Sequence, residues 1–242
     1  MSERVPGEPG PASRALDATR AALLSPLGIG FFTLVCFVAA DLRRYAEIEP
    51  GYGFYRWNLG LALVPLGLAY LVSWAARHEL TWPALPVLGL AWIIFLPNAP
   101  YLVTDLVHLD EGVNWPNIIA LTLLAITGLL IGVKSIQLVQ GAVERLFGLT
   151  AGRMVVHVVA VLTAFGIYLG RVKRWNSWDV IQQPHAFVHA LVRVPSQPGH
   201  VLLALLGTVV FAVAFSFAYR VLAGPSSGAR LAPVAGHRST QR

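Results

Sequence analysis

The sequence predicts an all-α integral membrane protein of about six transmembrane helices, the third short and proline-broken, with one or two interfacial amphipathic helices. Three observations carry this expectation. Of 242 residues, 56% are hydrophobic and 12% charged, and mean hydropathy is +0.63, which is too apolar for a soluble domain. The charged residues collect between long apolar runs, as expected when each charge at the bilayer centre costs about 3 kcal/mol or more. Aromatics gather at the ends of those runs, among them Trp57, Trp74, Trp82, Trp115, Trp175, Trp178 and Tyr219, where interfacial anchors belong.

In chain order, residues 1–21 mix Pro, Gly, Ser, Arg and Glu without apolar periodicity and read as a disordered tail. The spans fall at about 22–40, 59–76, 84–97, 116–134, 154–170 and 201–219, within a single membrane domain over 22–222. Pro116 suits the first turn of the fourth helix, where its missing amide donor costs nothing. Beyond that helix, Ile136, Val139, Val143 and Leu146 recur at helical spacing opposite Gln137, Gln140 and Glu144. Residues 135–149 are therefore a surface helix or an extension of the fourth span. Residues 180–194 form a second amphipathic segment, started by Pro184, and 223–242 read as another disordered tail.

Lys and Arg are more numerous in the tails and even loops than in the odd loops, which places both termini in the cytoplasm of a bacterial plasma or inner membrane protein. The net charge of +6 is scattered rather than gathered in a stripe. This argues against nucleic acid and for the lipid bilayer as the principal partner. The only cysteine, Cys36, lies in an apolar run and offers neither a disulfide nor a Cys-based zinc site.

The functional interest lies in three loops. The stretch Phe95-Leu96-Pro97-Asn98-Ala99-Pro100-Tyr101 leaves the third span through two prolines. Each removes an amide donor, so the carbonyls of Ile93 and Leu96 lose their helical partners near the lipid boundary, and Asn98 is the local candidate to answer such groups. Thr104, Asp105 and His108 follow. Loop 1 ends in Arg56-Trp57-Asn58, and loop 5 carries Arg171, Arg174, Trp175, Asn176, Ser177, Trp178 and Asp179. Because an even number of crossings separates loops 1, 3 and 5, all three emerge on one face. Their polar residues can therefore line a common pocket.

The combination of Trp57-Asn58-Leu59, the proline-broken segment with Thr104, Asp105 and His108, and Tyr168-Leu169-Gly170-Arg171 with Arg174-Trp175-Asn176-Ser177-Trp178-Asp179 resembles a family of bacterial multi-pass membrane proteins classed as a domain of unknown function. The resemblance covers about residues 25–222. It implies an integral membrane protein with several helices and brings no biochemical activity with it.

Each candidate group has two readings. Asp105 and His108, with Asp179, are metal ligands or simply a loop-holding hydrogen bond. Arg171 and Arg174 clamp an anion or pair with Asp105 or Asp179. His157 is a proton relay or an interhelical hydrogen bond, and His185 and His189 share one face of an amphipathic segment. Gly166 and Gly170 have small-xxx-small spacing suited to helix packing. No cofactor is implied. The favoured expectation is binding or transport of a small polar or anionic solute or a lipid headgroup. The alternatives are an interfacial, metal-dependent enzyme and an assembly partner of another membrane protein.

Overall fold

In lipid only helices satisfy the backbone of an open chain, so long apolar runs become helices. The computed structural model describes residues 10–45, 52–80, 82–111, 115–193 and 198–224, and contains no strand among them. In chain order the helices are α1 (Pro11–Leu23), α2 (Pro26–Tyr45), α3 (Tyr52–Arg77), α4 (Ala84–Phe95), α5 (Asn98–Tyr101), a 3-10 segment (Leu102–Glu111), α6 (Trp115–Phe147), α7 (Leu149–Val172), α8 (Asp179–Gln182), α9 (Pro184–Arg193) and α10 (Pro198–Ala223). Five stretches are long and apolar enough to cross a membrane: Tyr55–Arg77, Ala84–Val107, Trp115–Phe147, Leu149–Val172 and Ala204–Ala223. A sixth follows if α1 and α2, bent by 59°, count as one.

The chain is helical from Pro11, which corrects the expectation of a disordered tail up to residue 21. Ala15, Leu16, Ala18, Ala21 and Ala22 are strong helix formers, and the polar character of the first residues masked them. Arg20 ties this helix down by donating from Nε to the Val221 carbonyl at 2.7 Å. At the bend Ser25 donates to the Ala22 carbonyl and accepts from the Gly28 amide, at 2.7 and 2.9 Å. Residues 1–9 and 225–242 lie outside the described residues.

Residues 135–147 extend the fourth span. At about 1.5 Å per residue, the 33 residues of α6 outreach a hydrocarbon core of about 30 Å. The extension is held by the Tyr219 hydroxyl donating to Gln140 Oε1, while Gln140 Nε2 donates to Glu144 at 2.7 Å. The bundle core lies along α3 and α6, where Ala62, Ala69 and Ala76, seven residues apart and buried, give α3 a small-residue stripe. Across it Trp92 Nε1 donates to Ser135, whose hydroxyl donates to the Pro65 carbonyl, at 2.7 and 3.0 Å.

The third span continues past its prolines instead of ending at 97. The Leu96 amide still bonds the Trp92 carbonyl at 2.8 Å, the Ala99 amide shifts to Leu96 at 3.2 Å, and the Tyr101 amide reaches Pro97 at 3.0 Å. Two pairs of glycines make room for this broken segment. A side chain at Gly128 on α6 would collide with the Ala99 carbonyl and Leu102, and one at Gly132 would press on Pro100 and Phe215. On α7, Gly166 faces the Pro97 ring and Gly170 the Tyr101 ring. The Gly166/Gly170 spacing thus seats a proline-broken turn. Gly128 and Gly132 have the same spacing and do the same for the other side of the segment.

Candidate functional site

The three odd loops meet. Trp57 at the start of α3 and Trp178 before α8 stand edge to face, with ring centroids 5.8 Å apart. Asn58 on α3 donates to Asp105 Oδ2 at 3.3 Å, and Arg171 at the end of α7 reaches Asp105 Oδ1 at 3.3 Å. Three segments far apart in sequence therefore converge on one carboxylate, which is fully buried.

Arg171 is engaged on several sides. It also donates to the Thr104 carbonyl at 3.0 Å and to the Tyr101 hydroxyl at 3.3 Å, and its guanidinium stands 5.7 Å from the centroid of the Tyr101 ring. Thr104 closes its own turn by donating to the Tyr101 carbonyl at 2.6 Å. An arginine bound to a carboxylate, a carbonyl and a phenol is a latch between α7 and the broken segment, and its planar, multi-donor head suits that role.

The proline break is answered from loop 5. Asn98 Nδ2 donates to the Phe95 carbonyl and to Ser177 Oγ, each at 2.9 Å, and Ser177 donates onward to the Ile94 carbonyl at 2.9 Å. The carbonyls so served are those of Ile94 and Phe95, not Ile93 and Leu96, because the Ala99 amide shifts by one residue to take Leu96. α7 ends with Arg174 in the left-handed region (φ 58), a turn that brings the Trp175 amide back to the Leu169 carbonyl at 3.1 Å. Asp179 then accepts from the Asn176 amide at 2.7 Å and from Asn176 Nδ2 at 3.2 Å, fixing the loop.

These contacts frame a cleft of about 520 Å³ between the start of α3, the break after α4, the end of α7 and α8–α9. Its polar lining comes from Asn58, Asn98, Tyr101, Asn176 and Ser177. Leu61, Ile93, Leu162, Phe165 and Leu169 make its apolar wall, and Trp57, Trp175, Trp178 and Phe187 its aromatic rim. Trp175 packs edge to face on Phe187 of α9 at 5.5 Å, so α9 borders the opening.

Of the residues singled out in the sequence, Asp105, Arg171, Arg174 and Asp179 do not line the cleft. Asp105 and Arg171 lie behind its wall. Arg174 is exposed, and Asp179 belongs to the loop turn. The side chain of His108 lies outside the description. Among the described residues no three His, Cys, Asp or Glu side chains gather as a metal site would need. His157 on α7 and His185 and His189 on α9 are exposed. The apolar wall residues, and Phe187 above all, were missed. In a chain that is 56% hydrophobic nothing marks one apolar side chain as lining a cavity.

The fold and the cleft define a class: a helical, multi-pass membrane protein with an amphiphilic cleft, free of charged lining among the described residues, where three segments distant in the chain converge. The chain belongs to the family of proteins of unknown function DUF1361, whose sequence profile matches residues 57–214. That segment contains every residue lining the cleft and leaves out α1, α2 and the end of α10. No curated protein and no solved structure matches the chain.

Proposed function

We propose that the protein binds a membrane amphiphile, with its polar head among Asn58, Asn98, Tyr101, Asn176 and Ser177 and its apolar portion along Leu61, Ile93, Leu162 and Phe165. The observation that carries this reading is the lining itself: amide and hydroxyl groups and an aliphatic wall share one cleft beside interfacial tryptophans. A small polar solute would leave the apolar wall unused, and a bare hydrocarbon would strand the polar groups. Binding at such a place serves lipid handling or passage of a lipid-linked solute. The enzyme alternative has less support, since Asp105 and Asp179 are engaged in structural contacts.

The test uses the full chain in nanodiscs containing diacyl lipids of several headgroups, each with a photoactivatable diazirine in one chain. Crosslinks are expected to concentrate on residues 93–101 and 162–187 and to fall when Leu162→Trp fills the cleft. Labelling no denser there than at Val209 and Val213, which are 59% and 65% exposed on α10, would overturn the reading.

A further inference from the structure

We infer that the amphiphile carries an uncharged, hydroxylated headgroup, such as a glycerol or sugar, and not a phosphate; this rests on the amphiphile reading above. The argument starts from how three asparagines are used. Asn58 and Asn176 each turn their NH2 group to a carboxylate, and Asn98 turns its own to the Phe95 carbonyl and to Ser177. Carboxylates and carbonyls only accept, so each amide has its orientation imposed by its partner. Among the described residues the carbonyl oxygens of all three, on residues that line the cleft, have no protein partner, one N–H of Asn58 and of Asn176 is unspent, and the Tyr101 hydroxyl, which accepts from Arg171, keeps its own proton.

The polar groups left for a ligand are therefore of both kinds: amide carbonyls that accept, and amide N–H and phenol O–H groups that donate. A hydroxyl, which both donates and accepts, answers both kinds, whereas a phosphate diester is acceptor-only and leaves the amide carbonyls unanswered. The indole N–H groups of Trp57, Trp175 and Trp178 also lack protein partners among the described residues. They suit neutral acceptors such as ester or glycosidic oxygens.

Charge points the same way. Among the described residues no Lys or Arg lines the cleft, and Arg171 behind it is tied to Asp105, Thr104 and Tyr101. An anion there would be drawn from water towards a partly apolar site without a counter-cation.

The experiment is competition in nanodiscs against a glucosyl diacylglycerol bearing a diazirine in one acyl chain, read as crosslinking to residues 93–101 and 162–187. Unlabelled glucosyl diacylglycerol should compete about tenfold better than phosphatidylglycerol of the same chains, a difference of about 1.4 kcal/mol. Methyl glucoside alone should not compete. In Val180→Arg, which places a cation on the cleft wall, phosphatidylglycerol should become the better competitor. Equal or stronger competition by phosphatidylglycerol in the unaltered protein would overturn the headgroup inference and leave amphiphile binding standing. Competition by methyl glucoside would assign the cleft to a soluble polyol, and no cleft-specific labelling by any lipid would remove both readings.

Discussion

Arg171, at the last turn of α7, and Asp105, in the 3-10 segment after the proline break, stand 3.3 Å apart, with the carboxylate fully buried and the arginine side chain 29% exposed. The asymmetry makes the two partners unequal. Arg171→Ala takes the guanidinium away from a fully buried carboxylate that Asn58 also contacts and should destabilise the protein by about 3 kcal/mol, whereas Asp105→Asn leaves an arginine that still reaches water and should cost less. A double-mutant cycle by denaturant unfolding in micelles measures the difference. Equal costs for the two single changes would show that burial of the carboxylate does not govern the pair.

The glycine notches give a ranked series. Gly128→Ala meets the Ala99 backbone carbonyl, which cannot rotate away, Gly166→Ala meets the Pro97 ring, and Gly170→Ala presses on the edge of the Tyr101 ring while making ordinary contact with the Trp175 carbonyl. Overpacking costs about 1–3 kcal/mol, so stability should fall in the order Gly170→Ala, Gly166→Ala, Gly128→Ala, the last losing most. Thermal midpoints in one detergent decide the order.

Ser177→Ala removes both the acceptor for Asn98 and the donor to the Ile94 carbonyl. The expected loss is about 1–3 kcal/mol, because the Ile94 carbonyl is part-buried at the break and loses its partner. Amide hydrogen exchange should rise locally over 94–101. Unchanged exchange there would mean that loop 5 does not support the break.

Arg174 occupies a left-handed turn that favours glycine. Arg174→Gly should therefore be neutral or stabilise by up to about 1 kcal/mol, and amphiphile crosslinking should persist. A loss of crosslinking would return Arg174 to the binding site as an anion-holding group.

Topology is open to direct labelling. Single cysteines at Val107, Arg174 and Gln183 should react with a membrane-impermeant maleimide from one side, and those at Leu80 and Phe147 from the other. Native Cys36, only 5% exposed, contributes little background. Reaction of Val107 and Arg174 from opposite sides would dismantle the shared-face arrangement.

The sequence by itself determined the helical membrane class and where the apolar runs lie, though not how far the third and fourth spans extend, because hydrocarbon forbids unsatisfied backbone and expels charge, and both effects are written residue by residue. It also determined that loops 1, 3 and 5 can share a face, since parity is a property of chain order. Only the tertiary structure decided which polar groups are used up. Asp105 and Arg171 carry the strongest chemical signal in the chain, yet they neutralise each other behind the wall. Asn58, Asn98 and Phe187 take their roles at the cleft from neighbours brought together by the glycine notches at 128, 132, 166 and 170. Hydrogen-bond satisfaction is a pairwise matter, and no single residue discloses in advance whether its partner will be protein, lipid or ligand.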